Sequence, residues 1–336
     1  MNKNIVYGID LAKNVFQVHG TDHLGNTCLR KKLQRSKVID FFSNKEKALI
    51  GIEACSGAHY WARELEKLGH TVKMMAPQYV KPYVKTNKND AADAEAICEA
   101  VTRKNMRFVP LKSIQAQDLQ AIHRARKRLV RDKVSLINEV RGLLGEYGIV
   151  IPRSVAKFNQ RMPELLTSED LSPSFKETLQ DLYSEYLDKL SRIKKFDERL
   201  KREFKSNEIC QNLGTIKGIG VIGATALVTT NPSVFKNGRE FASWLGLTPK
   251  QHSSGGKTVL LGISKRGNPY LREVLVHGAR VFLQWSDKND DPLSVWARKL
   301  KDKKGHNKAC IAVANKLARI AWTIMNENRA FDKAIC

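Results

Sequence analysis

The chain has 336 residues, enough for two or three packed units, and its 42% apolar and 27% charged content is globular rather than disordered. Lysine and arginine outnumber aspartate and glutamate 58 to 34, a formal net charge of +24. Such a surplus gathers polyanions and costs self-repulsion without them, which favours nucleic acid as partner. A membrane surface is the rival partner, but no apolar run is long enough to span a bilayer and no strongly amphipathic basic anchor is present.

The excess is uneven: +4 over residues 1–100, +9 over 101–206 and +11 over 207–336. The opening MNKNIVYGID enters a strand pattern with no apolar signal-peptide core. Six scattered cysteines without a CxxC pair argue against a zinc ribbon and a disulfide framework. A cytoplasmic protein with reduced thiols is the expectation.

The first hundred residues alternate strand and helix signals. Ile5–Asp10 and Ala48–Glu53 are apolar runs that each end in an acid, with strands expected at Val15–Gly20, Thr27–Leu33 and 71–76. Helices are expected near 36–44 and 57–68. Three early strands before the first helix indicate an antiparallel meander joined to parallel strands. Residues 77–89 read as a basic loop in which Tyr79 and Tyr83 either pack or stack on bases, and a helix is expected to start at Asp90.

Residues 114–147 read as a long basic helix carrying Arg124 and Arg128. Pro152, Pro163 and Pro173 mark an irregular stretch. A second long helix from about 174 has an apolar seam suited to an antiparallel hairpin, a coiled-coil dimer contact or a plain core face. Leu213–Leu227, LGTIKGIGVIGATAL, reads as two short helices joined by Gly-Ile-Gly. This is a helix-hairpin-helix pattern, in which Lys217, Gly218 and Gly220 would meet a phosphate backbone; a tight turn between core helices is the alternative. Residues 239–246 look helical, Gln251–Lys257 reads as an exposed polar loop, and helices resume near 269–285, 292–300 and 307–327.

Asp10 and Glu53 each close a strand, and Asp90 and Asp93 stand three apart at a helix start, where they share one face. Singly, each has a structural explanation as a cap, a dipole partner or an ion-pair member. Together they form a set of hard oxygen ligands suited to Mg²⁺, or to Mn²⁺ in its place. Two metals roughly 4 Å apart would polarise a phosphodiester and stabilise attacking and leaving oxygens. Strand-Asp, strand-Glu and a later helical D-x-x-D is the arrangement of the ribonuclease-H-like fold of Holliday-junction resolvases. Actin-like sugar kinases also open on Gly-x-Asp, but need a glycine-rich turn that Leu11–Asn14 lacks.

A resolvase accounts for residues 1–110 only. GIDLAK, GIEACSG, KNDAADAEAI, IKGIGVIGATAL, WLGLTPKQHSSGGK and SKRGNPYLR, in this order over nearly the whole chain, resemble the DEDD insertion-sequence transposases. These are related to the pilin-gene invertases and known as bridge-RNA-guided recombinases. The resemblance implies three regions: a ribonuclease-H-like metal-site domain (1–110), a helical coiled-coil region (111–206) and a mainly α transposase domain with the helix-hairpin-helix (207–336). It further implies that Asp10, Glu53, Asp90 and Asp93 bind metal. Ser254 would be a nucleophile forming a 5′-phosphoserine intermediate, which stores the phosphodiester energy for rejoining. Lys257, Lys265 and Arg266 would hold phosphate oxygens. The implied partners are donor and target DNA, a non-coding guide RNA that reads sequence, and further copies of the chain as a dimer assembling to a tetramer. A metal-dependent, structure-selective nuclease without covalent intermediate, and a non-catalytic nucleic-acid-binding protein, are the competing readings.

Overall fold

A computed structural model describes residues 5–85 and 90–331. The chain forms two compact units, Met1–Ser113 and Ile114–Cys336. In the first unit come β1 (Val6–Asp10), β2 (Val15–Thr21), β3 (Thr27–Gln34), α1 (Val38–Ser43), β4 (Leu49–Glu53), α2 (Ala58–Lys67) and β5 (Thr71–Met75). They are followed by α3 (Pro77–Val80), α4 (Asp90–Val101) and β6 (Phe108–Val109). The sheet order is β3-β2-β1-β4-β5-β6. β1, β2 and β3 run antiparallel, whereas β1, β4 and β5 run parallel, as the early meander predicts. This mixed sheet is consistent with a ribonuclease-H-like unit.

Alternation along β1 and β4 explains why this sheet is covered on both faces. Tyr7, Ile9, Ile50 and Ile52 are buried with Phe42 of α1 and Trp61 and Leu65 of α2. The alternate positions are Gly8 and Gly51, paired in register, and α4 lies over them. A Cβ on Gly51 would stand 2.8 Å from the Val101 Cβ, and one on Gly8 2.7 Å from the Cys98 Cβ. Only glycine lets the helix lie this low. Residues 77–83, expected as loop, form α3 and a 3₁₀ turn at Lys81–Tyr83; residues 86–89 of that expected loop lie outside the described residues. Tyr83 packs beside the cluster of Met75, Val80 and Ile97, with the Arg103 guanidinium 5.7 Å from its ring centre.

The second unit begins with α5 (Ile114–Gly145), α6 (Val155–Thr167) and α7 (Pro173–Ser206). α5 and α7 pair antiparallel, because Arg126 bonds Asp197 at one end while Tyr147 stacks on Phe175 at the other. The α7 seam is a strict heptad of buried residues, Leu179, Tyr186, Ile193 and Leu200. The proline-marked stretch is not irregular throughout: α6 forms around Pro163 and buries Phe158, Met162 and Leu165. That packing offsets the hydrogen bond the proline removes.

Next come α8 (Glu208–Gly214), α9 (Val221–Leu227), α10 (Gly238–Trp244), β7 (Pro249–Ser254), β8 (Lys257–Ile263), α11 (Pro269–Trp285), α12 (Pro292–Lys304) and α13 (His306–Glu327). Their core centres on α13, with Val313, Ala314, Leu317 and Ala321 fully buried. The polar loop expected at Gln251–Lys257 is instead the end of β7, a two-residue turn at Gly255–Gly256 and the first residue of β8, the tip of a β-hairpin. Ser254 pairs with Lys257, and Gly255 and Gly256 take φ values of +55° and +76°. Two consecutive positive φ angles are what a type I′ turn demands, so Gly-Gly is the turn chemistry rather than mere flexibility.

Candidate functional site: an acidic cluster and a serine hairpin

β1 and β4 are parallel neighbours with Ile9 opposite Ile52, so Asp10 and Glu53 emerge side by side at the same end of the sheet. Both side chains are half-buried where their strands end. α4 runs back over the sheet, with Ala94 and Cys98 over Gly8 and Ile97 and Val101 over Gly51. Its first turn therefore reaches the Asp10 end. Carboxylate oxygens of Asp10, Asp90 and Asp93 lie within 4.8 Å of one another. Glu53 stands outside that trio but close by, since its carboxylate and that of Asp10 both act on Cys55. Burial, then Glu53, then Asp10 push the Cys55 thiol above its ordinary value.

Three carboxylates this close repel unless a cation or proton stands among them. The other acids of α4 are neutralised from within the unit. Glu99 is bonded by Lys85 at 3.0 Å and by Arg103, and Glu95 by Arg30 at 3.2 Å. Hydrogen bonds from Lys85 and Arg103 outweigh burial and hold the Glu99 carboxyl below its usual range. Asp90 and Asp93 make no such ion pair among the described residues. An all-oxygen, anionic donor set fits a hard divalent cation.

Ser254 ends β7 at the hairpin turn, fully solvent-facing, and Ser253 Oγ accepts a 2.7 Å hydrogen bond from Gln251 Nε2. Both hairpin strands are exposed along nearly their whole length, including Val259, Leu260 and Leu261. Lys257 sits across the turn from Ser254. Lys265 and Arg266 lie on a loop clamped to the end of α10. Lys265 N donates to Gly246 O at 3.2 Å, and Arg272 donates to the carbonyls of Leu245 and Arg266. Lys265 itself is held at φ +54°, a strained setting for a side-chain-bearing residue.

The remaining basic candidates divide. Arg124 is exposed on α5, whereas Arg128 is tied to Asp132 at 3.1 Å. Lys217 is engaged inside the unit, donating to Asn289 Oδ1 at 2.7 Å and Asp291 Oδ2 at 3.0 Å. Gly218, at φ +91°, presses its backbone on Gly278 of α11, with room for no Cβ (2.6 Å to Gly278 O). Gly220 has open space beside it. The sequence reading missed Cys55, Gly8 and Gly51 as parts of the acidic edge; the paired G-I-D and G-I-E spellings were the signal available.

Acids gathered at one end of a sheet, on a strongly basic chain, are a donor set suited to metal-assisted chemistry on phosphodiesters. Comparison with known proteins makes this specific. Residues 7–149 match a transposase family model, and residues 210–292 match the model described as Transposase IS116/IS110/IS902 family. The chain is 43% identical to a probable family 20 transposase of Pseudomonas aeruginosa, over 96% of this chain and 97% of the relative. It is 40% identical to the transposase for insertion sequence element IS1111A of Coxiella burnetii, over 97% and 91%. It is 24% identical to a pilin gene-inverting protein of Moraxella lacunata, over 100% and 99%. The chain belongs to the IS110/IS116/IS902 family of transposases, enzymes that cleave and rejoin DNA.

Proposed function

We propose that this transposase is a site-specific recombinase of an insertion sequence, guided by a non-coding RNA and working through a phosphoserine. The observation that carries it is the convergence of Asp10, Asp90 and Asp93 within 4.8 Å. Together with Glu53 they would hold Mg²⁺, or Mn²⁺ in its place. When bound, the ion supplies positive charge to a phosphate whose negative charge grows during attack. Asp10 and Glu53 do the fixing, being anchored by the β1–β4 ladder, while α4 delivers Asp90 and Asp93. Rigid elements of this kind spare the site reorganisation during reaction.

Ser254 Oγ would attack the phosphorus, forming the serine–phosphate bond as the 3′-oxygen leaves and takes up a proton. A 3′-hydroxyl of the partner strand then attacks the same phosphorus and returns the hydroxyl to Ser254. The hairpin supports this role: its tip is exposed, and Gly255 and Gly256 carry no side chain to hold DNA away. Lys257, Lys265 and Arg266 are the nearby cations for phosphate oxygens, and Lys265 and Arg266 sit on a clamped loop. In this reading Ser254 and the acids meet in the assembled oligomer, dimers pairing into a tetramer on donor and target DNA. Gly218 and Gly220 would face phosphate from a helix-hairpin-helix formed by α8 and α9. The sequence information would lie in the RNA, which accords with positive charge spread over all three regions.

The deciding experiment incubates wild type and Ser254→Ala with element-end DNA, guide RNA and Mg²⁺, and resolves protein–DNA adducts after denaturation. Adducts in wild type and none in the variant, with nucleic-acid binding retained, support the proposal. Adducts persisting in Ser254→Ala, or free 5′-phosphate ends without adduct in wild type, replace it with another nucleophile or with hydrolysis.

A further inference from the structure

We infer that the surface between α10 and α13 is a binding site for a backbone phosphate of nucleic acid, built from Arg239, Lys316 and Arg319. A cavity of 370 Å³ opens there, with these three cations beside Ile320, Ile324 and Phe331. Lys316, Arg319, Ile320 and Thr323 fall on one stripe of α13, so one helix face brings both charge and apolar floor to the cavity.

Three observations separate this patch from ordinary surface lysine and arginine. First, Lys316 and Arg319 are half-buried, yet none of the three cations forms an ion pair among the described residues. Other half-buried cations of the unit are matched by an acid, as Arg126 is by Asp197 and Lys217 by Asp291, or bond backbone carbonyls, as Arg141 and Arg272 do. Converging, partly desolvated cations are costly until an anion joins them. Second, the site is held in place. A Cβ on Gly238 would stand 2.9 Å from Arg319 O, so α10 touches the α13 backbone beside Arg239. Trp322 Nε1 donates to Pro232 O at 3.0 Å, fixing the segment that leads into α10. Third, the apolar floor lowers the local dielectric, which strengthens each contact to phosphate. Two guanidinium forks and an ammonium offer more donors than one phosphate can accept, so bidentate geometry is available.

A polymer suits the site better than a free anion. Arg239 is exposed at its margin and continues the positive surface outward, and the stretch from residue 207 onward carries +11. The inference rests on the family's traffic in nucleic acid, and on neither Ser254 nor the acidic cluster.

The test uses the full chain and labelled single-stranded RNA, single-stranded DNA and duplex DNA of one sequence, with binding measured by fluorescence anisotropy across a salt series. The double variant K316Q/R319Q is compared with K194Q/K201Q, an equal charge loss on exposed α7. K316Q/R319Q should bind at least one probe about tenfold more weakly than K194Q/K201Q does. Its slope of log K against log salt should fall by about 0.7 on single strands or 0.9 on duplex per phosphate lost. The probe affected identifies whether RNA or DNA supplies the phosphate. Arg239→Gln, on an exposed position, should weaken the same probe and decides the matter if the double variant melts early. Equal binding by K316Q/R319Q and K194Q/K201Q on all three probes, with Arg239→Gln silent, overturns the site. Binding is read without cleavage, so loss of Ser254 adducts leaves this result standing.

Discussion

Gly8 and Cys98 pack so closely that a methyl group on Gly8 would lie 2.7 Å from the Cys98 Cβ and would also strike the helix backbone at Ala94 and Cys98. The strand and helix backbones cannot both stay where they are. Gly8→Ala should therefore lift α4 and move Asp90 and Asp93 away from Asp10. Overpacking of this kind costs about 1–3 kcal/mol. The expected result is a lower melting temperature and loss of DNA cleavage, with Gly51→Ala behaving alike. Gly142→Ala is the contrast, since nothing lies within 4 Å of its Cβ and it is exposed in the last turn of α5. It should stabilise by about 0.5–1 kcal/mol. Thermal melts of the three variants check this ranking.

Asp93 contributes to a trio that the fold holds together against repulsion. Asp93→Asn relieves part of that repulsion but gives up a helix-dipole interaction of about 0.3–1 kcal/mol. The two effects oppose, so without metal the variant should melt no lower than wild type. Added Mg²⁺ or Mn²⁺ should raise the wild-type melting temperature, since binding to the folded state alone at 100 times Kd stabilises by about 2.7 kcal/mol. The variant should lose most of that rise. A metal-independent melt in wild type would remove Asp10, Asp90 and Asp93 as a cation site.

How much of this was legible beforehand depends on the range of the interaction. The β1–β4 strands and α5 and α7 follow from local periodicity, which the amino-acid string carries openly. The acids were legible as a set because each closes a strand or opens a helix. What made them converge was not, since Gly8 and Gly51 act through α4, more than forty residues away in sequence for either. The hairpin at Ser254 reads as a loop in the sequence because Gln-His-Ser-Ser is polar on both faces and gives no alternation. Gly255-Gly256 was the turn signal, with Thr258 to Ile263 the strand after it. Lys217 looked like a phosphate contact beside two glycines, and only its partners Asn289 and Asp291, over seventy residues on, show that it is engaged within the unit.

His123 is buried on α5, with Nδ1 2.9 Å from the Tyr270 hydroxyl of α11. Burial first, and Arg126 nearby, lower its pKa to about 4 against a Thr225 carbonyl that raises it. A folded value below the unfolded one means that the folded state prefers the neutral ring. The resulting stability is full above about pH 6.5 and is lost as pH falls from there through about 4. The loss is at most about 3 kcal/mol for this group. Urea unfolding of the C-terminal unit, followed in the full chain between pH 7 and 4, should lose stability over that window. His123→Gln should flatten its part of the slope. His59, lowered to about 4 by burial, Lys112 and Arg63, adds a similar loss in the first unit, so the variant's residual slope should track unfolding of residues 1–113.

Lys217 and Asp291 form a brace between the α8–α9 connection and the start of α12. Asp291 also accepts from Ser294 N at 3.0 Å and Ser294 Oγ at 2.8 Å, so it caps α12 while it holds the lysine. The two substitutions should therefore be unequal. Lys217→Met keeps most of the apolar stem and removes the ammonium with its bonds to Asn289 and Asp291. The pair is partly exposed, so this should cost no more than about 1 kcal/mol. Asp291→Ala loses the cap as well, worth about 0.5–2 kcal/mol, and leaves the Lys217 ammonium with Asn289 alone. Chemical denaturation should rank wild type, Lys217→Met and Asp291→Ala in falling stability. The double variant should fall less than the sum of the two, because the same bond is removed twice. Nucleic-acid affinity separates the brace from a phosphate contact. If the ammonium is committed to Asp291, Lys217→Met leaves the salt slope of binding unchanged. Asp291→Ala frees the ammonium and should steepen that slope. A drop of about 0.9 in the slope for Lys217→Met would instead return this lysine to the DNA-facing set.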